Sequence, residues 1–354
     1  MTQFHKLKII EAKKTTREAV VLTLEPQSGE FNFTQGQYLT FRHFFNGKEL
    51  RRSYSICVEQ GSPVLKVAIK RVQGGAFSSY ANDVLREGDF LEAMKPMGKF
   101  YTKINPHHAK HYIAFACGSG ITPVLSILKT ILLQEPLSSF TLVYANREMQ
   151  SIMFREELND LKNYFMRRLS LIHILKQNSQ EIDLFAGRLT YEKCKDLFQH
   201  WINIKRFNKA FICGPESMML DIVAALQDQG FDDDAIKFEL FGTTRKEWQR
   251  LDERTTKWDI SEKIIDLMIF FDGASQRFDI NKSQSILDAA LENAIDVPYA
   301  CKSGICSTCK CKVLEGEVEM LANHALSEKE VKDGYVLSCQ SYPTSSRIVI
   351  DYDQ

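Results

Sequence analysis

The sequence predicts a multidomain chain: an N-terminal antiparallel β-barrel, a central α/β domain on a doubly wound parallel sheet, and a small C-terminal α+β domain. Three observations predict it. Short apolar strands separated by turns fill residues 7–102. Strands then alternate with helices as far as residue 241. Five of the nine cysteines crowd the last 54 residues, a density that points to metal or redox chemistry in that segment.

Composition narrows the class. A chain of 354 residues with 44% hydrophobic and 25% charged residues is neither disordered nor fibrous. Lys+Arg and Asp+Glu both total 45, so no polybasic signature points to nucleic acid or an anionic membrane. No apolar run reaches the roughly 18 residues of a membrane span. Met1-Thr2-Gln3-Phe4-His5-Lys6 lacks the apolar core of a signal peptide, so a cytoplasmic location is expected. Oligomeric state is not legible. From Phe270 onward 13 acidic residues face 8 basic ones, a formal −5 against +5 for the remainder. That division suits either electrostatic docking or two independently soluble surfaces.

In the barrel segment, residues 1–104, Val20–Leu24, Tyr38–Phe41 after a Gln35-Gly36-Gln37 turn, and Val64–Lys70 read as strands, with one helix over Ser78–Leu85. The α/β segment, 105–241, starts after Asn105-Pro106. Its strands are Tyr112–Cys117, Phe140–Tyr144, Leu169–Leu175, Ala210–Cys213 and Ile236–Phe241. Its helices are Thr122–Leu133, Phe154–Phe165, Thr190–Trp201 and Glu216–Gln229. Residues 242–263 are polar and weakly periodic, an expected linker. The last segment, 264–354, opens with strands Ile264–Phe271 and Gln276–Ile280 and a helix over Ser285–Asn293.

Cys301, Cys306 and Cys309, followed by Cys339, give C-x4-C-x2-C and a distant cysteine. This is the plant-type ferredoxin spacing for a [2Fe–2S] cluster. Gly304 and the Ser/Thr residues of the loop let backbone N–H groups lie close to the cluster sulfurs. A structural zinc module is the alternative, although zinc ribbons more often pair two C-x2-C motifs. Cys311 alternates away from Cys309 and reads as packing. The final ninety or so residues resemble plant-type [2Fe–2S] ferredoxins, through Pro298-Tyr299-Ala300, Leu314-Glu315-Gly316-Glu317-Val318 and Leu337-Ser338-Cys339-Gln340. The resemblance implies a β-grasp fold and four cysteine ligands.

Arg52-Ser53-Tyr54-Ser55 resembles the R-x-Y-S flavin signature of ferredoxin–NADP reductase-like proteins. The likeness implies FAD, with Arg52 on phosphate, Tyr54 against the flavin ring and Ser55 near N5. Gly74-Gly75-Ala76-Phe77-Ser78 follows; its glycines permit close approach of backbone to a diphosphate at a helix N-terminus. Cys117-Gly118-Ser119-Gly120-Ile121-Thr122-Pro123 lies between a strand and a helix, the context of a dinucleotide turn. The family binds the pyridine nucleotide pyrophosphate there, which carries over to Gly118, Gly120, Thr122 and Pro123. Its partner, Cys213-Gly214-Pro215, implies Cys213 near the nicotinamide, with Gly214 and Pro215 shaping the turn. Glu239 and Phe241 match the segment that approaches the flavin in relatives; a buried core strand explains them equally well.

Tyr144-Ala145-Asn146-Arg147 ends in a base where an acidic residue would take a ribose hydroxyl. Arg147 and Ser151 therefore suit a 2′-phosphate, favouring NADPH over NADH. The order flavin, nucleotide, ferredoxin resembles reductase components of multicomponent bacterial oxygenases, especially those of phenylacetate degradation. It implies an NAD(P)H-dependent electron-transfer enzyme with a separate oxygenase component as acceptor; a reductase for a Rieske or other aromatic-ring oxygenase is the neighbouring reading.

Overall fold

A computed structural model describes residues 4–27, 31–176, 182–240, 264–299 and 301–354. The expected linker 242–263 and Phe241 lie outside the described residues. The chain forms two compact units; one holds the parallel sheet and the barrel apart from Arg51–Ser53, which group with the other.

The barrel holds six strands: β1 (His5–Thr16), β2 (Ala19–Pro26), β3 (Tyr38–Phe45), β4 (Lys48–Ser55), β5 (Leu65–Lys70) and β6 (Phe90–Ala93). They are ordered β4-β3-β6-β1-β2-β5. The two outer strands meet where Ile56 bridges Val67 and Cys57 N–H donates to Lys66 O at 2.9 Å, which closes the sheet. Alternation in β5 sends Leu65, Val67 and Ile69 into the barrel core with Phe41 and Phe77, while Ala68 joins the neighbouring core. Helix α1 (Ala76–Asp83) starts two residues before the predicted Ser78. Gly74 turns with φ +73° and Gly75 takes the N-cap, so glycine conformation begins this helix.

The next five strands are β7 (His111–Cys117), β8 (Ser139–Asn146), β9 (Leu169–Leu175), β10 (Lys209–Gly214) and β11 (Ile236–Leu240). All pair in parallel, in the order β11-β10-β7-β8-β9. Helices α2 (Ile121–Gln134) and α3 (Arg155–Tyr164) cover one face; α4 (Tyr191–His200) and α5 (Glu216–Asp228) cover the other. The two cores divide β7 by alternation: Tyr112, Ala114 and Ala116 against α2, Ile113 and Phe115 against α5.

Helix α2 also fastens the barrel. Ser126, Thr130 and Gln134 recur every four residues and so share a face. Ser126 Oγ donates to Val58 O at 2.6 Å, Gln60 N–H donates to Thr130 Oγ1 at 2.9 Å, and Gln134 Nε2 donates to Gln60 O at 2.9 Å. Lys129 bridges Glu59 and Glu157, each at 2.9 Å. Ser126 and Thr130 are fully buried, so losing one partner would strand a desolvated group at about 1–3 kcal/mol.

The second unit contains a mixed sheet: β12 (Ile264–Phe271), β13 (Ala274–Asn281), β14 (Lys310–Glu315), β16 (Tyr335–Leu337) and β18 (Arg347–Asp351), ordered β13-β12-β18-β14-β16. Strands β12 and β18 are parallel and the other pairs antiparallel, the β-grasp arrangement. A small pair, β15 (Val318–Met320) with β17 (Ser341–Pro343), lies apart. Helix α6 (Ile286–Glu292) buries Ile286, Leu287, Ala289 and Ala290, and Ser285 Oγ caps it by accepting from Asp288 N–H at 3.1 Å. A short helix, α7 (Glu328–Lys332), begins with a Ser327/Glu330 capping box. No helix among the described residues is long and apolar enough to cross a membrane.

Candidate functional site

Among the described α-helices, two N-termini carry neither a side-chain cap nor a first-turn acid: α1 and α2, which start on Gly75 and Gly120. Side chains cap α4, α6 and α7, and α3 and α5 carry acids in their first turns. At α2 a Gly118–Gly120 turn leads straight into the helix and takes the Ile121 N–H, but neither end carries a side-chain cap or a first-turn acid, so the dipole at α1 and α2 favours an anion.

At the first of these, the position a Gly74 Cβ would take has nothing within 4 Å, leaving the approach clear. Tyr54 is half-buried, its ring 6.2 Å from Phe41 and 5.6 Å from Phe77. Phe77 is fully buried and supports Tyr54 from within the barrel. Arg52 is exposed, and its guanidinium donates to Arg51 O at 2.7 Å. Ser78 is buried; its hydroxyl accepts from Val72 N–H at 3.0 Å and donates to Gly75 O at 3.3 Å, shaping the loop itself.

At the second end, two turns meet backbone to backbone. A Cβ on Gly120 would sit 2.2 Å from Cys213 O, and one on Gly214 would sit 2.5 Å from Met218 Cε and 3.0 Å from Cys117 Cβ. Backbone blocks any side chain at 120, whereas at 214 the nearest obstacle is the flexible end of Met218. Gly118 turns with φ +54°, and its carbonyl accepts from the Tyr144 hydroxyl at 2.8 Å. Thr122 Oγ1 donates to Ser119 O at 3.0 Å. Pro123 is the third residue of α2, where its missing N–H costs nothing. Pro215 is the N-cap of α5.

Positive charge bears on this turn. Lys70 Nζ lies 3.8 Å from where a Gly118 Cβ would be. Burial raises the Cys117 thiol, and the charges of Lys70, Arg147 and Arg188 oppose that rise. Arg147 is exposed. Ser151 is spent locally: its hydroxyl accepts from Glu148 N–H at 3.2 Å and donates to Glu148 O at 2.7 Å. Sequence reasoning misses Lys70 and Arg188, since strand alternation places Lys70 outside the barrel without naming what it faces.

Ser55, Cys213 and Glu239, expected near the flavin and nicotinamide, come together from segments far apart in the chain. Cys213 and Glu239 are register partners on β10 and β11. Ser55 Oγ donates to Glu239 Oε2 at 3.5 Å. Burial pushes the Glu239 carboxyl up to about 8, against the Ser55 hydrogen bond. Burial also holds the Cys213 thiol well above its usual range, followed by the Glu239 charge. The result is a desolvated carboxyl that keeps its proton near neutrality, beside a neutral thiol. A cleft of about 530 Å³ between the barrel and residues 149–160 is lined by none of these groups.

In the second unit Cys301, Cys306, Cys309 and Cys339 converge. Cys301 is half-buried and the others are buried. Hydrogen bonds from the Cys306 and Cys339 side chains hold the Cys301 thiol far below its usual range. Ser303 N–H and Cys306 N–H donate to Cys301 Sγ, each at 3.4 Å. Cys339 is driven upward by the thiols of Cys301 and Cys309. Four thiols so coupled cannot all ionise alone, but suit a set of cations that replaces their protons. Cys311 packs in the core with Sγ 3.9 Å from Val336 O. The residues fit each implied group: open donors and glycine cradles for FAD and the nucleotide, an all-thiol set for the cluster.

Comparisons with known proteins agree. An oxidoreductase FAD-binding domain matches residues 6–101, an oxidoreductase NAD-binding domain residues 115–224, and a 2Fe-2S iron-sulfur cluster binding domain residues 269–344. The chain is 42% identical to a 1,2-phenylacetyl-CoA epoxidase component from Escherichia coli (strain K12), over 100% of this chain and 99% of that one. It is 30% identical to the ferredoxin reductase component of 3-ketosteroid-9-alpha-monooxygenase from Rhodococcus rhodochrous, over 97% and 95%. Among solved structures it is similar to phthalate dioxygenase reductase, with a TM-score of 0.62, 25% identity and 98% of each chain covered. The chain belongs to the family of FAD- and NAD-binding oxidoreductases that carry a [2Fe–2S] domain and serve oxygenase systems as electron-transfer reductases.

Proposed function

We propose that the chain carries electrons from NADPH through FAD and a [2Fe–2S] cluster to the oxygenase of a phenylacetyl-CoA epoxidase, with segments 1–104, 105–241 and 264–354 as the three working parts. The observation that carries this reading is the meeting of Ser55, Cys213 and Glu239, with Cys213 against the Gly120 turn that leads into α2. Identity of 42% along the whole length supports the named partner.

FAD held here would supply two-electron uptake of one hydride from the nicotinamide and release in single electrons, and a bound [2Fe–2S] cluster would supply one-electron transfer. This chain's residues do the binding and orienting. Arg52 and the α1 donors beside Gly74 and Gly75 hold the FAD phosphates. Tyr54, supported by Phe77, covers the ring, and Ser55 addresses its polar edge. Ser78 fixes the Gly75 loop. Gly118, Gly120, Thr122 and Pro123 present the α2 donors to the pyridine nucleotide pyrophosphate, with Lys70 and Arg188 supplying positive charge. Cys213, Gly214 and Pro215 leave room for the nicotinamide at the strand end. Glu239 holds a proton beside Ser55. Arg147 takes the 2′-phosphate of NADPH by charge-assisted hydrogen bonds, the contact that disfavours NADH. Cys301, Cys306, Cys309 and Cys339 ligate the cluster.

Stopped-flow reduction by NADPH and NADH in parallel tests this reading. Flavin absorbance should bleach first and cluster absorbance second, faster with NADPH. Purified protein without acid-labile sulfide, or without FAD, would overturn it. Reconstitution with a phenylacetyl-CoA epoxidase oxygenase, against an aromatic-ring oxygenase as the rival acceptor, decides the partner.

A further inference from the structure

The cysteine loop has its carbonyls drawn away from the sulfur of Cys301. Cys301 O accepts from Ser303 Oγ at 2.7 Å, Gly304 O accepts from His324 N–H at 2.9 Å, and Lys302 O accepts from Gln340 Nε2 at 3.0 Å. The last of these joins the two halves of the ligand set, because Gln340 Nε2 also donates to Cys339 O at 3.0 Å. Gln340 is buried.

A trans peptide points its C=O and N–H in opposite directions. Holding Lys302 O toward Gln340 therefore aims the N–H of the same peptide, that of Ser303, the other way. That N–H lies 3.4 Å from Cys301 Sγ. Lys302 has φ +54°, a left-handed conformation that a non-glycine residue keeps only where its surroundings hold it. Its ammonium pairs with Asp288 at 2.9 Å, but both side chains are well exposed, so screening leaves that pair a weak restraint. Gln340 is the buried one.

We propose that Gln340 is a positioning residue for the cluster: its amide locks the Lys302–Ser303 peptide so that Ser303 N–H is presented to the Cys301 sulfur, which favours the reduced form. The physical reason is that a donor to a ligand sulfur stabilises the added negative charge of reduction. This rests on the reading that Cys301, Cys306, Cys309 and Cys339 hold a [2Fe–2S] cluster.

Gln340→Met keeps the volume against Gly304 and removes both amide donors. In the full-length, cluster-loaded protein, a redox titration followed by EPR reads the result. At a fixed potential the cluster's equilibrium should shift roughly threefold to tenfold toward the oxidised form, the worth of one hydrogen bond, with altered g-values; tenfold is 59 mV for one electron. Lys302→Gly in that background reaches φ +54° without help and should recover at least half of the shift. Wild-type midpoint and g-values in Gln340→Met would overturn the proposal, as would a double variant shifted as far as the single one. Should Gln340→Met fail to hold its cluster, recovery of loading in the double variant supports the strut, and equal failure overturns it. A wild-type protein with no [2Fe–2S] signal would instead overturn the ligand assignment beneath it.

Discussion

The two redox sites are built by opposite means. In the barrel and parallel sheet, the candidate site is made of absences: no Cβ on Gly120 or Gly214, no cap on α1 or α2. Its parts come from segments as far apart as Ser55 and Glu239, which meet at 3.5 Å. In the cysteine loop the site is made of donors: Ser303 N–H and Cys306 N–H on the Cys301 sulfur, with the Gln340 amide behind them. A site made of cleared space is destroyed by adding an atom. A site made of donors is destroyed by removing one.

That contrast sets the order of expected effects. Cys306→Ser should cut reduction of cytochrome c by at least about 100-fold, while NADPH-driven reduction of ferricyanide by the flavin stays within about twofold of wild type. Equal loss of both activities would erase the contrast. Gly120→Ala adds one carbon 2.2 Å from Cys213 O. It should lower kcat/KM for NADPH by about 100-fold, near 2.7 kcal/mol, with FAD content unchanged. An alanine variant with wild-type kcat/KM would show that the turns separate freely.

The Glu239 carboxyl gives a smaller, pH-dependent effect. In the folded protein it holds its proton up to about 8, against 4.5 ordinarily. The folded state therefore binds the extra proton between those values, and stability falls as pH rises through that window. Glu239→Gln abolishes this term. Between pH 5 and 8 the wild type should lose about 1–2 kcal/mol relative to the variant, after allowance for partial exposure. Parallel melting curves at the two pH values would contradict a buried, protonated carboxyl. Arg147→Glu should change the ratio of NADPH to NADH efficiencies by about fivefold to tenfold. An unchanged ratio removes Arg147 from the nucleotide site.

Legibility follows the same division. The C-x4-C-x2-C run of Cys301, Cys306 and Cys309 and the glycine turns at strand ends are short local patterns and stand out in the sequence, and Cys339 joins them through the ferredoxin resemblance. Residues whose partners are remote do not stand out. Lys70 reaches the Gly118 turn from another domain, and Gln340 reaches Lys302 across 38 positions. The sequence places Ser151 at a phosphate, yet its hydroxyl completes a capping box with Glu148. The order Glu148 then Ser151 reverses the usual Ser-then-Glu capping box, so this local bond is not legible in the sequence. Helix α1 begins earlier than polar caps would place it because Gly75, with no side chain to signal a cap, starts it.

The stripe Ser126, Thr130 and Gln134 has a consequence for anyone recombining these reductases. Splicing one relative's first hundred residues onto another's nucleotide half would pair a loop at 58–60 with a helix evolved for a different loop, and bury polar groups without their partners. Crossovers that move this loop and α2 together avoid that mismatch, so a transplant should carry both or neither.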